Sequence, residues 1–205
     1  MPRKQKPKTL RQVIGDLPRL SEMGEISDTD ILHSFRSYRK DMRKWIHPLK
    51  QGECAFDNKD PKLRPHRVIN GKIVPNVRKN GDKYTRQVWD KVAPAIHTRN
   101  DILASQNTVH PVDDRVFSIR EIMRMMNVPS DFKWGNESYK ELNALSYDDK
   151  KKWLKKHAIT IRQSLGEAVP TIIFKEIGDN IIFRMEEINA DKQTKKVYLH
   201  LSLPF

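Results

Sequence analysis

The longest apolar pattern in the chain lies near its end. From about Glu167 to Ile182, the residues Val169, Ile172, Ile173, Phe174, Ile177, Ile181 and Ile182 recur too densely for one stripe, so the pattern predicts a helix with apolar side chains around much of its girth. Pro170 is tolerated in its first turn. Such a helix needs a large surface to cover it. Three other helices carry sharper start signals. Thr9 with Gln12, and Ser118 with Glu121, have the spacing of a capping box, in which each side chain bonds the other residue's backbone N–H. The first predicts a short helix closing at Gly15-Asp16-Leu17-Pro18, and the second a helix over 118–128 ended by Pro129, with Ile122, Met125 and Met126 as its stripe. Ser146 to His157 predicts a third, with Asp148 and Asp149 in its first turn and Lys155, Lys156 and His157 in its last, matching the helix dipole. The five lysines between Lys150 and Lys156 then read as its solvated face.

Asp28 to Ile46 also shows three- and four-residue spacing, through Ile31, Leu32, Phe35, Tyr38, Met42 and Trp45, and predicts a helix with Arg36, Arg39, Lys40, Arg43 and Lys44 opposite. From Pro48 to Asp82 the periodicity gives way to turns, including Asn70-Gly71 and Asn80-Gly81. Val68 to Val74 predicts a hairpin, because Asn-Gly supplies the positive φ of a two-residue turn. Val197 to Phe205 alternates and predicts a strand or a docked tail.

Charge changes the picture. The 205 residues carry a net +13, and 32% are charged against 37% hydrophobic. Residues 1–115 hold 24 Lys and Arg against 14 Asp and Glu, whereas residues 116–205 hold 15 against 12. Such a balance points to a polyanion, bound through phosphate neutralisation and counterion release, with the contact concentrated in the first part. Pro2 to Lys8 reads as a basic arm that stays disordered until it meets a partner. The single cysteine, Cys54, excludes an internal disulfide and reads as a packing residue, and no apolar run approaches a membrane span, so a cytoplasmic protein is expected. The seven histidines show no zinc spacing, and no metal is expected. The stretch 84–110 is dense in Arg, Gln, Asn, Ser and Thr, groups suited to phosphates and base edges.

Two further segments make a matched pair. Arg115 through Phe132, with Arg120-Glu121 inside and Pro129-Ser130-Asp131 at its close, and Gln163-Ser164-Leu165-Gly166-Glu167-Ala168-Val169-Pro170 resemble, in order, the closing motifs of DNA cytosine-5 methyltransferases. Ile14-Gly15-Asp16-Leu17-Pro18 resembles the step that follows the catalytic half in that family. The chain contains no Gly-rich cofactor loop, Pro-Cys nucleophile or Glu-Asn-Val motif.

The resemblance implies the target-recognising, carboxy-terminal half of a two-part enzyme. The expected fold class is α+β: a small, irregular β-rich recognition region, followed by helices that complete a Rossmann-like methyltransferase domain supplied by another chain. Residues 1–20 would form a linker and short helix, 21–115 the recognition region, 116–190 the closing motifs and 191–205 a strand or tail. Arg86, Arg99, Asn100, Ser105, Gln106, Asn107 and Arg115 are the residues expected at DNA, and Arg120 and Glu121 would brace the recognition region on the catalytic domain. Gly166, Glu167, Ala168 and Val169 would line one side of an S-adenosylmethionine pocket shared with the partner, at a Gly turn opening a helix. Glu167 stands where the family usually has Asn. No catalytic residue is expected here, since the nucleophilic Cys comes from the partner. The expected partners are duplex DNA and that catalytic subunit, in restriction-modification. A non-enzymatic, sequence-specific DNA-binding protein derived from such an enzyme is the alternative, and a basic RNA-associated protein a second.

Overall fold

The computed structural model describes residues 6–77 and 83–201, so the Asn80-Gly81 turn, most of the basic arm and the last four residues lie outside the described part. The chain divides into two compact units, Pro7–Ala168 and the segment from Val169 onward.

In the first unit, α1 (Leu10–Ile14) starts at the predicted Thr9–Gln12 capping box. α2 (Lys40–Ile46) follows, then two 3-10 turns, Ala55–Asp57 and Pro61–Leu63. The hairpin forms where expected: β1 (His66–Ile69) pairs antiparallel with β2 (Lys72–Pro75), and Asn70 (φ 48°) and Gly71 (φ 75°) make the turn between them. α3 (Ile119–Met125) carries the predicted Ser118–Glu121 capping box. α4 (Tyr139–Ala144) has a capping box of its own between Ser138 and Glu141. α5 (Tyr147–Glu167) completes the unit.

The mixture of helix and strand agrees with an α+β chain. The region 48–112 is less β-rich than its short apolar runs predict. Among the described residues it holds one two-stranded sheet, and the rest is stitched by single bridges such as Cys54 to Thr85, Arg86 to Val109 and Val109 to Val116.

The helix predicted over Asp28–Ile46 is corrected. Only Lys40–Ile46 is helical, and the preceding residues run irregularly, with Ile26 bridged to Ser34. Tertiary partners take that segment's polar groups away from a helix. The Ile31 N–H donates to Asn143 Oδ1 (2.7 Å), the Leu32 carbonyl accepts the Arg120 N–H (2.9 Å), and the Asp30 carboxylate is held by Arg120. Propensity and periodicity yield to this packing.

Two apolar clusters fill the unit. One gathers Leu10, Ile14, Ile31, Leu32, Ile119, Ile122, Met123, Trp153, Ile161 and Leu165; the other gathers Leu20, Phe35, Trp45, Ile46, Tyr84, Leu103 and Val109. Val116 belongs to the second and Phe117 to the first, so the extended segment between Arg115 and α3 places successive side chains on opposite sides and joins the two clusters.

The third predicted helix is longer than expected, since α5 runs past His157 to Glu167. Lys150 in its first turn is buried rather than solvated, its ammonium reaching the Asp28 carbonyl. The second unit is dominated by α6 (Thr171–Leu201), which begins after Pro170 rather than at Glu167. Because α6 continues through Val197 to Leu201, the strand predicted for the end of the chain is corrected to helix over those residues. Ile172, Ile173 and Phe174 occupy three successive positions and are all exposed, as are Ile177, Ile181, Ile182 and Phe183. Successive positions on a helix lie about 100° apart, so apolar side chains stand on several sides of this stretch, interspersed with Lys175, Glu176 and Asp179.

Candidate functional site

The sequence motif beginning at Arg115 folds into a buried ionic knot. Extended backbone before the Ser118 cap brings Arg115 over the first turn of α3, where it meets Glu121 through two bonds, Nη1 to Oε2 at 2.7 Å and Nη2 to Oε1 at 2.8 Å. Its Nη2 also donates to Asp113 Oδ2 at 3.0 Å. Both partners of the Arg115–Glu121 pair are 1% exposed. Burial alone would raise the Glu121 carboxyl; the Arg115 guanidinium outweighs it and holds Glu121 far below the ordinary carboxylate range. Glu121 also accepts the Ser118 N–H at 2.6 Å, so one carboxylate serves both the cap and the ion pair.

A hydrogen-bonded relay extends the knot to the Asp16-Leu17-Pro18 step. The His33 ring donates from Nε2 to the Pro18 carbonyl (2.7 Å), and its Nδ1 is hydrogen-bonded to the Ser118 hydroxyl (2.9 Å). Asp16 pairs with Arg124 of α3. The two motifs, about a hundred residues apart, are thus joined by direct contacts.

His110 lies on the other side of Arg115. Its Nδ1 accepts the backbone N–H groups of Val112 (3.3 Å) and Asp113 (3.0 Å), and its Nε2 lies 3.5 Å from Glu121. Burial is the main cause that lowers its pKa, to about 4, so the ring is neutral at pH 7 with its proton on Nε2.

The second motif is bound into the same body from α5. Arg162 is buried and donates from Nη1 to the Asn100 side-chain oxygen (2.9 Å) and from Nη2 to the Phe117 carbonyl (2.8 Å). Asn100 answers by donating to the Arg162 carbonyl (2.9 Å) and the His97 carbonyl (2.7 Å). Burial is the main cause that lowers the Arg162 pKa, to about 10. One turn on, a Cβ at Gly166 would stand 2.5 Å from the His97 carbonyl and Thr98 Cα, so backbone passes backbone there and only glycine fits.

These placements revise several expectations. Gly166 and Glu167 are the last residues of α5 and Ala168 caps its C-terminus, its N–H bonded to the Ser164 carbonyl. The anticipated Gly turn at a helix start, with N–H groups turned to a ligand, is therefore a helix end. Arg120 and Glu121 brace elements inside the Pro7–Ala168 unit: Arg120 holds Asp30, donates to the Ser130 carbonyl (2.8 Å) and lies 4.8 Å over the Tyr139 ring.

Of the residues expected at DNA, Arg86, Asn100 and Arg115 are buried. The Arg86 guanidinium is occupied by the Ile46, His110 and Asp113 carbonyls and by Asp114 Oδ1 at 2.6 Å, so it holds the scaffold rather than presenting donors at the surface. Arg99 remains at the surface, paired with Asp101 at 2.9 Å. Ser105, Gln106 and Asn107 are half-buried, with Asn107 in the left-handed region (φ 56°). Cys54 is buried, its thiol directed at the Lys83 carbonyl, as a packing residue would be.

Sequence reasoning missed Arg162 and the acidic anchors Asp113 and Asp114. The adjacent His-Pro-Val-Asp-Asp-Arg run was a usable signal for the latter, since three ionisable groups, one His and two Asp, beside one Arg suit a buried network. Asp114 gathers Arg86, Arg43 (3.2 Å) and His47 (2.6 Å) beside a surface cleft of about 440 Å³, at which Arg19 and Lys50 also stand. Among the described residues no helix is long and apolar enough to cross a membrane.

No family model matches the chain. Similarity to curated proteins points one way. The Type II methyltransferase M1.HgaI of Avibacterium volantium is 28% identical over 190 residues, 88% of this chain and 46% of that protein. The chain is similar to Type II methyltransferases. The Type II methylase M.HgiDII of Herpetosiphon aurantiacus is 24% identical over 188 residues, 92% of this chain and 47% of the relative. The chain thus spans about half the length of the curated relatives it matches.

Proposed function

We propose that this chain is the DNA-recognition subunit or part of a DNA cytosine-5 methyltransferase of a restriction-modification system, acting in the cytoplasm with a catalytic part that carries the cofactor loop and the Pro-Cys nucleophile. The observation that carries the reading is the joining of its three motifs in one body: the Pro18 step bonds through His33 to Ser118, and the Gly166 segment seats against residues 97–100 through Arg162. Similarity to two Type II methyltransferases supports the methyltransferase class.

In this reading, residues 1–20 link the two parts, 21–115 read the duplex, 116–190 carry the closing motifs and 191–205 form a tail. The apolar side chains on several sides of α6 support a catalytic domain as its cover, because Ile173, Phe174 and Ile177 are exposed in this chain. S-adenosylmethionine supplies the methyl group when bound. Glu167, Ala168 and Val169 are exposed at the end of α5, so the chain offers the cofactor one edge, where the Glu167 carboxylate suits its ammonium. The role of the recognition part is to hold the duplex while the target cytosine rotates out of the stack into the catalytic part's pocket.

Tritiated methyl transfer to duplex DNA, measured for this chain, for a partner carrying the missing motifs and for their mixture, tests the reading. Activity in the mixture alone is the expected result. A stable complex that binds a specific site and transfers no methyl group would overturn it in favour of a non-enzymatic DNA-binding protein.

A further inference from the structure

The β1–β2 hairpin is exposed on both faces, and its composition suits one class of partner. In its register Arg67 faces Val74 and Ile69 faces Lys72, while His66 faces Pro75 and Val68 faces Ile73. Alternate pairs share a face, so Arg67, Ile69, Lys72 and Val74 lie together and His66, Val68, Ile73 and Pro75 lie together. His66 packs on buried Trp45 with ring centres 5.4 Å apart, which anchors the base of the ribbon to the core. Beyond that anchor Val68 is 65% exposed, Ile69 49% and Ile73 41%. At the tip, a Cβ on Gly71 would meet nothing within 4 Å.

A two-stranded ribbon that encloses no core gains nothing in the isolated chain from holding β-branched side chains in water. Charge indicates what covers them. Residues 61–77 contain Lys62, Arg64, Arg67 and Lys72 and no Asp or Glu, so this segment is complementary to a polyanion rather than to a mixed protein surface. The major groove of duplex DNA admits a two-stranded ribbon, is rimmed by phosphates and exposes the thymine methyl group as its apolar feature. Of the seven residues expected at DNA from sequence, Arg86, Asn100 and Arg115 are buried, so the hairpin adds exposed cations and apolar side chains that those three do not offer.

We propose that the β1–β2 hairpin enters the major groove of duplex DNA, with Arg67 and Lys72 on phosphates and Val68 and Ile73 against thymine methyl groups. This rests on the DNA-recognition reading above and names the element that performs it.

Binding of the full chain to a duplex pool, followed by fluorescence anisotropy across a salt series, tests it. Arg67→Ala/Lys72→Ala should reduce the slope of log affinity against log salt by about two and weaken binding about tenfold near 100 mM salt. An equal loss from Lys151→Ala/Lys155→Ala on α5 would overturn the proposal, because any cation would then serve. Replacing thymine by uracil in the duplex removes only the methyl group. It should weaken the unaltered chain severalfold, a readout independent of how any variant folds, and Val68→Ser/Ile73→Ser should abolish that difference. Unchanged binding by the hairpin variants, or indifference to uracil, would overturn the hairpin's role and leave the recognition reading standing. Failure of the unaltered chain to bind any duplex at low salt would overturn the recognition reading itself.

Discussion

Arg162 and Asn100 bond each other in both directions: the guanidinium donates to the Asn100 side-chain oxygen and main-chain carbonyl, and the Asn100 amide returns a bond to the Arg162 carbonyl. Their reciprocity fixes the last turns of α5 over residues 97–100, the contact against which Gly166 closes. A methyl group on Gly166 has no room to relax, because the atoms it meets at 2.5 Å are backbone. Gly166→Ala should therefore destabilise the Pro7–Ala168 unit by about 1–3 kcal/mol, the usual cost of overpacking. Gly178→Ala in α6, where nothing lies within 4 Å, is the matched control and should be neutral or stabilising. Urea midpoints of the two variants check this, and equal shifts would contradict it.

Glu121 is the next sensitive position. Glu121→Gln preserves shape and the bond to the Ser118 N–H, yet leaves the buried Arg115 guanidinium with one bonded carboxylate, Asp113, in place of two. Breaking one partner of a buried pair costs about 3–5 kcal/mol. A loss of that order is expected in denaturant unfolding, with Arg11→Ala at the exposed pair with Asp90 as a control that changes little.

His110 sets an acid limit. Its folded pKa of about 4 lies below the ordinary 6.5, so the unfolded chain takes up this proton first as pH falls. The stabilisation is complete above pH 6.5 and is lost progressively toward pH 4, on the order of 3 kcal/mol in total. Glu121 and Asp113, both held below their ordinary values, add losses of the same sign only at lower pH, which leaves the window from about 6.5 to 5 to His110. His110→Asn retains an acceptor for the Val112 and Asp113 N–H groups and removes the titration. Melting temperature against pH should flatten across that window in the variant, and an unchanged slope would assign the effect to another group.

Local signals were legible in the chain where side chain and backbone settle matters within a few residues. The capping boxes at Thr9 and Ser118 and the Asn70-Gly71 turn formed as their spacing predicts. Misreadings fell where distant residues decide. Ile31, Leu32 and Phe35 have helical spacing, but Asn143, Arg120 and Asp30 draw the backbone between them into other bonds. Gly166 was expected in a turn that opens a helix and instead lies at a helix end, because a glycine's neighbour across space is invisible in sequence; that neighbour is the His97–Thr98 backbone. Polar composition marked 84–110 as suited to DNA and the resemblance added Arg115, yet Arg and Asn equally build a buried network, and Arg86, Asn100 and Arg115 do so.

The apolar side chains of α6 carry the last expectation. Ile173, Phe174, Ile177 and Ile181 are exposed in the single chain, and burying an aromatic or branched aliphatic side chain gains about 1.5–3 kcal/mol. The isolated chain should therefore self-associate with rising concentration in sedimentation velocity. Phe174→Lys/Ile181→Lys should shift it toward monomer. Both positions lie in α6, outside the Pro7–Ala168 unit, so the thermal transition of that unit should stay in place. The same variant should lose assembly with a catalytic partner while retaining affinity for duplex DNA. A variant that still assembles would move the partner's contact elsewhere, and one that loses DNA binding as well would make α6 part of the recognition surface.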